Sequence, residues 1–380
     1  MSRFTTPRRT LAIAGVLCVG GFGVAACGSD NGGSSTGSTG SAGASTSSTT
    51  SSSAKAGKVA VLLPDSKSSV RWETQDRKYL DAAFTAAGVD HTIVNAEGDP
   101  AAQRTQAEQA ITNGAKVLLL VDLDPGSGSA IIANAKKSGV KVIDYDRLTL
   151  GGGADYYVSF DNASVGKLQG DGLVKCLGSA SKPVVAELNG SPTDNNATLF
   201  AQGYDGVLNP LYASGTFVKG PNQSVPDWDN QKALTIFEQM LQKTSNKIDG
   251  VLAANDGLAN AAISALKARK LKSIPVTGQD ATAQGIQHIL AGDQCMTVYK
   301  AVKAEAEAAS KLAIALAKGE TPNAPDSTDN KGTKTPSVLL KPIAVTKDNI
   351  KDTVIKDGFL KVSDVCTGEF AKACTAAGIS

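Results

Sequence analysis

From Lys58 onward, short β-branched runs alternate with amphipathic stretches, and no other property constrains the fold of this chain as tightly. "KVAVLL" gives way to the helix-periodic "WETQDRKYLDAAFTAAG", which ends in Gly88. "HTIVN" is followed by "DPAAQRTQAEQAITNG", where Asp99 suits a helix N-cap and Gly114 a C-cap. "KVLLLV" and a Gly/Ser turn then lead through "AIIANAKKSG" to the strand "VKVID". This regular change of hydrophobic period predicts βα units and a parallel, doubly wound sheet. A second series opens near "DYYVSF" and runs through "PVVAELNG", "IDGVLAAN" and "IPVTGQ" to "CMTVYK". Two such halves in tandem predict an α/β protein of two doubly wound parallel-sheet domains with a ligand cleft between them. The helix "AVKAEAEAASKLAIALAKG" and the segment "SVLLKPIAVTKDNIKD" most simply cross back to complete both. The expected first domain is 58–160 plus about 301–336, and the second is 161–300 plus about 337–380.

With 380 residues the chain is long enough for two buried cores. A net charge of +2 with interleaved signs argues against a nucleic-acid partner. Residues 1–27 read as a targeting segment. Arg3, Arg8 and Arg9 precede "LAIAGVLCVGGFGVAA", which is too short and Gly-rich to span a bilayer. Small residues before Cys27 in "VAAC" resemble the bacterial lipoprotein signal, in which that Cys carries lipid. An ordinary cleaved signal is the alternative. Residues 28–57 are nearly all small and polar, so they cannot offset ordering entropy and form a flexible tether. Anchor, tether and body in that order place the body outside the cytoplasmic membrane.

Export changes the meaning of the cysteines. With Cys18 removed and Cys27 lipidated, Cys176, Cys295, Cys366 and Cys374 remain, an even number suited to two disulfides. Three pairings are open. Proximity in sequence favours Cys366 with Cys374, and Cys176 then pairs with Cys295. His91 and His288 are the only histidines and lie in separate elements, so neither a metal site nor a cofactor is expected.

Ligands of open α/β sheets sit beyond the carboxyl ends of the strands, so the residues there are a functional test. Arg71 and Trp72 follow the first strand, and Asp144, Asp146 and Arg147 follow "VKVI". Asp194, Asn195 and Asn196 follow "VVAELNGSP"; Asp227 and Trp228 follow "NQSVP". Asn255 and Asp256, Gln279 and Asp280, and finally Lys300 complete the set. Planar carboxylate, guanidinium and amide groups satisfy neighbouring hydroxyls in pairs, and indoles pack against the C–H face of a pyranose. The combination predicts carbohydrate recognition.

The ordered motifs "RW", "YDR", "SFDN", "DNNA", "AND", "GQDA" and "MTVYK" resemble those of the periplasmic D-xylose-binding proteins of ABC sugar importers. These belong to the ribose/galactose type of periplasmic binding protein, type I, and the resemblance runs from about Lys58 to Phe359. It implies a binding protein rather than an enzyme, monomeric, with a monosaccharide ligand (a pentose, xylose) and an ABC transporter permease as partners. Carried onto matching positions, it implies sugar contacts at Arg71, Asp146, Arg147, Asn195, Trp228, Asn255, Asp280 and Lys300, with Trp72 and Asn196 beside them. "DLDPGSGS", Ala301 after "VYK", the four mature cysteines and the tail beyond Phe359 depart from the pattern.

Several of these residues have a second possible role. Arg147 could close a bridge on Asp144 or Asp146, and Trp228 could cap a core edge. Asp280, or Asn255 with Asp256, could cap the following helix. Asp122 and Asp124 in "DLDPG" read as a turn. "GGGAD" and "GSGSA" lack the spacing of a nucleotide-binding loop, and no G-x-S-x-G elbow occurs from Lys58 onward. Receptors for ribose, arabinose or glucose, and a sugar sensor acting on a signalling partner, remain as alternatives.

Overall fold

The computed structural model describes residues 56–379. The targeting segment, Cys27 and nearly all of the tether lie outside the described residues.

The first lobe follows the expected alternation. Strand β1 (Lys58–Leu63) leads to α1 (Arg77–Ala86), β2 (His91–Asn95) to α2 (Pro100–Thr112), and β3 (Ala115–Leu120) to α3 (Pro125–Lys137). Then come β4 (Lys141–Tyr145) and β5 (Tyr156–Phe160). Asp99 caps α2 by accepting from the Ala101 and Ala102 amides, and Gly114 follows its end with φ of +84°. Alternate residues of one strand enter different cores. Val59, Val61 and Leu63 join one cluster with Leu80, Phe84 and Ala309, whereas Ala60 and Leu62 join another with Ile131 and Ile132. Both faces are covered by helices, so the strands are apolar on both sides.

The second lobe comprises α4 (Asn162–Leu177), β6 (Val184–Asn189), α5 (Asn195–Ala213) and β7 (Val218–Ser224). It continues through α6 (Asn230–Lys243), β8 (Gly250–Ala253), α7 (Asp256–Ala268), α8 (Ala283–Ala291) and β9 (Thr297–Tyr299). The return segment is α9 (Val302–Ala317), β10 (Asp326–Asn330), β11 (Thr333–Leu340) and β12 (Ile343–Val345).

The large sheet has the order β10-β11-β5-β4-β3-β1-β2, parallel except for the β10–β11 hairpin. In the second lobe β7-β6-β8 is parallel and β9 pairs antiparallel with β12. Strand β5, which opens the second series in the sequence, therefore belongs to the first sheet. The expected return boundary near 336 falls inside β11, because its residues Ser337–Leu340 pair with Tyr157–Phe160. The chain instead leaves the first sheet between Leu340 and Ile343.

Cys176 is bonded to Cys295 and Cys366 to Cys374, the pairing that sequence proximity favours. The second bond closes a tail of two short helices, α10 (Val362–Val365) and α11 (Ala371–Ala376). Gln287 on α8 holds this tail by donating to the Val365 carbonyl at 3.1 Å.

Candidate functional site

Strand β4 ends at Tyr145, and the next residue turns the chain sharply. The Arg147 N–H donates to the Tyr145 carbonyl at 2.8 Å, with Asp146 at φ of +61°. This three-residue turn is strained for an L residue and costs about 1–3 kcal/mol. Its carbonyl is held from three sides, by Ser159 Oγ at 2.7 Å, Asn196 Nδ2 at 3.0 Å and Tyr157 Oη at 3.2 Å. The turn sends the Asp146 and Arg147 side chains into the space between the lobes. Trp228 and Asp280 also have positive φ, +55° and +95°, so three strand-end loops of the site are strained.

Asp146 is the electrostatic centre. Its Oδ2 accepts from Arg71 Nη1 at 2.7 Å and Lys300 Nζ at 3.3 Å, and its Oδ1 from Asn196 Nδ2 at 3.1 Å. Burial alone would raise its pKa, but Lys300, Arg71 and Arg147 outweigh burial and hold it below the ordinary carboxylate range. It is therefore an ionised acceptor at neutral pH. Arg71 reaches it from the N-cap position of a π-helical turn, Trp72–Asp76, that precedes α1.

Arg147 extends the other way. Its Nη1 donates to the Asp122 carbonyl at 3.1 Å and its Nε lies 3.2 Å from Asp194 Oδ2, so its bridge runs across the cleft rather than to Asp144 or Asp146. Asp194 also accepts from Trp228 Nε1 at 3.0 Å. The indole lies over Gly190, where any Cβ would collide with the ring. Trp228 is buried in the second-lobe core and also faces the cavity.

Asp280 does not cap α8; Thr282 does, by accepting from the Gly285 amide. Asp280 instead accepts from Ser69 Oγ at 3.0 Å and lies 3.8 Å from Lys300 Nζ. Asn255 has two roles: its Oδ1 caps α7 by accepting from Leu258 N at 2.9 Å, and its Nδ2 donates to the Ser68 carbonyl at 3.4 Å. Asp144 takes the Thr149 amide and hydroxyl at 2.8 and 2.9 Å and stays inside the fold. Asp124 caps α3, and no group of three His, Cys, Asp or Glu among the described residues could hold a metal ion.

Together these side chains line one cleft with about 320 Å³ of space between them, open solvent at its mouth included. Arg71, Trp72, Asp146, Arg147, Asn196, Trp228, Asn255, Asp280 and Lys300 all line it. Asn195 does not. It is half-buried in the first turn of α5, and successive helical residues diverge by about 100°, so only Asn196 of the pair faces inward. Ser68, Ser69, Asp194, Phe200 and Gln279 complete the wall. Asp194 and Gln279 are among the strand-end residues read from the sequence, although the resemblance did not name them as sugar contacts. Phe200, a full turn into α5, carries no such signal.

A polar cavity shared by two lobes is the construction of a solute-binding protein. Comparison with known proteins specifies the family. Residues 59–321 match the family model for the periplasmic binding protein domain. The chain is 40% identical over 310 residues to the D-xylose-binding periplasmic protein of Escherichia coli, spanning 81% of this chain and 92% of that one. It is 41% identical over 292 residues to the corresponding protein of Haemophilus influenzae, spanning 76% and 86%. An ABC transporter solute-binding protein of Clostridium phytofermentans, solved with bound β-D-glucose, superposes with a TM-score of 0.76 at 30% identity. That alignment spans 81% of this chain and 99% of the other. This chain belongs to the periplasmic binding protein family. It is an exported binding protein, not an enzyme. Among the described residues no helix is long and apolar enough to cross a membrane.

Proposed function

We propose that this protein captures a monosaccharide, D-xylose, outside the cytoplasmic membrane and delivers it to an ABC transporter permease. The observation that carries this reading is the wall itself: Asp146, Asp280, Arg71, Arg147 and Lys300 set close to the indoles of Trp72 and Trp228. Ionised carboxylates accept from two hydroxyls at once, the cations donate, and the indoles take the sugar's apolar face. The similarity to two D-xylose-binding proteins supports the pentose.

The moving bodies are 58–160 with about 301–340 and 161–300 with about 341–379. Closure brings Ser69 to Asp280, Ser68 to Asn255 and Arg147 to Asp194. A sugar adds bonds to both walls and so stabilises the closed form by its differential affinity for it. Cys27 carries the lipid that keeps the body near the permease. Labelling of cells with a radioactive fatty acid is expected to mark the protein, and Cys27→Ala to abolish the mark.

Calorimetry of the folded body against aldopentoses and aldohexoses tests the ligand. D-xylose is expected to bind most tightly. A second reading, D-glucose, is favoured by the sugar bound to the Clostridium relative, and tighter binding of glucose would establish it instead. Binding of no aldose would refute both.

A further inference from the structure

Behind the cavity wall, Arg71 is gripped by two carboxylates that do not line the cavity. Its Nε donates to Asp76 Oδ2 at 2.9 Å, and its Nη2 donates to Asp76 Oδ1 at 2.7 Å and Glu305 Oε2 at 2.5 Å. Asp76 and Glu305 are both 0% exposed. Tyr145 Oη steadies Asp76 from the other side at 2.6 Å. The guanidinium also lies over the Trp72 ring, 4.5 Å from its centroid. Nη1 alone faces the cavity, and one of its hydrogens meets Asp146 at 2.7 Å. A guanidinium has five N–H donors. With four committed to protein, a single N–H remains for a ligand, in a fixed direction.

The charges around this clamp fit a neutral Glu305. With every group ionised, Arg71 and Lys300 face Asp76, Asp146 and Glu305, an excess of one negative charge in a buried space. Burial pushes the Glu305 carboxyl well above its usual range, against the pull of Arg71 and with the push of Asp146. Its Oε1 has no hydrogen-bond partner. Glu305 sits in the first turn of α9, just past Lys300 where the chain crosses between lobes. Helix α9 packs on the first sheet, so Asp76, Asp146 and Glu305 all grip Arg71 from the first lobe.

We propose that Asp76 and Glu305 are positioning residues that fix the Arg71 guanidinium before any ligand arrives and aim its one free N–H into the cavity. The ligand named in the test rests on the sugar-receptor reading; the clamp does not. A guanidinium held this way loses little freedom on binding, which is how preorganisation raises affinity.

The test compares Glu305→Gln, which keeps the shape and an acceptor, with Glu305→Ala and Glu305→Asp, which withdraw it. The first readout needs no ligand: hydrogen exchange of the Arg71 Nε–H followed by NMR in the unliganded protein. Exchange is expected to quicken about tenfold or more in the Ala and Asp variants and to stay within about threefold in the Gln variant. The second readout is D-xylose affinity by calorimetry. It is expected to fall about tenfold with Ala and Asp and to stay within about threefold with Gln. The Asp variant keeps most of the side-chain volume, so the comparison stands if Glu305→Ala does not fold. Unchanged exchange in the Ala and Asp variants would overturn the clamp. Quickened exchange with undiminished affinity would overturn its positioning role, as would Gln losing as much as Ala. If the wild type binds no aldose, the sugar reading falls while the exchange data still decide the clamp.

Discussion

The two walls of the cavity are built on different terms. In the first lobe the charges pair among themselves: Arg71 with Asp76, Asp146 and Glu305. In the second lobe the polar groups find their partners across the cleft. Asp280 meets Ser69, Asn255 meets the Ser68 carbonyl, Asn196 meets Asp146 and Asp194 meets Arg147. If the lobes part as proposed, opening the cleft leaves the first set intact and releases the second. On that proposal the first wall is a preformed platform, whereas the second makes closure depend on what lies between.

The largest effect that could break this contrast is at Asp146. Asp146→Ala leaves Arg71 Nη1 and Lys300 Nζ buried without their shared acceptor. Removing one partner of a buried pair costs about 3–5 kcal/mol. Denaturant unfolding is expected to show that loss, and calorimetry a D-xylose affinity lower by about a hundredfold or more. A variant as stable as the wild type would mean that the first wall is not self-paired. Asp280→Ala sharpens the comparison from the other side. Its partners lie across the cleft or at the crossing, so stability is expected to change by only about 1 kcal/mol. Affinity is expected to fall about tenfold, chiefly through faster dissociation in stopped-flow measurements. Destabilisation as large as that of Asp146→Ala would erase the distinction between the lobes.

Each lobe also hides a carboxylate behind its wall. Burial pushes Asp122 in the first lobe up to about 7 against the pull of Arg147. Asp256 in the second is pushed up to about 7 as well, against hydrogen bonds from Gln294 and Thr297. In the unfolded chain an Asp titrates near 3.9. Between about pH 4 and 7 the folded protein thus binds more protons than the unfolded one, and stability falls as pH rises, by at most about 1.4 kcal/mol per pH unit and group. Asp146, shifted downward, acts with the opposite sign and only below about pH 4. Asp122→Asn and Asp256→Asn are each expected to flatten part of the slope in unfolding measurements between pH 4 and 7. A slope unchanged in both variants would place the buried protons elsewhere.

What the sequence disclosed follows the range of its interactions. Strand ends are marked locally, by an apolar run that stops at polar residues, so "YDR", "GQDA" and "VYK" could be placed at the cleft without coordinates. Caps are equally local, as Asp99 shows. Glu305 was invisible because it joins Arg71 across 234 positions of sequence from inside an amphipathic helix. Strand β5 pairs with its sequence neighbour β4, in keeping with the expected boundary at 160, but the return of β11 to its other edge, with Leu340 opposite Phe160, is a link that no local pattern encodes. The positive φ of Asp146 has no signature either, since Gly, the usual marker of such turns, is absent there.

The smallest predicted effect tests the finest of these distinctions, the choice between Asn195 and Asn196. Both begin α5 behind the N-cap Asp194, but the helix can present only one of them to Asp146. Asn196 donates to the Asp146 carbonyl and carboxylate and accepts from Asn162 Nδ2 at 2.8 Å, so it ties the second wall to the strained turn. Asn195 stands outside the cavity wall. Asn196→Ala is expected to weaken D-xylose binding about tenfold, because it removes the shortest of the three acceptors of the buried Asn162 amide and loosens the Asp146 carbonyl. Asn195→Ala is expected to stay within about twofold of the wild type, the range of an ordinary surface substitution. The reverse order would mean that the first turn of α5 is rotated by one residue when sugar is bound. The second wall would then adapt to its ligand, in contrast to the clamped wall opposite.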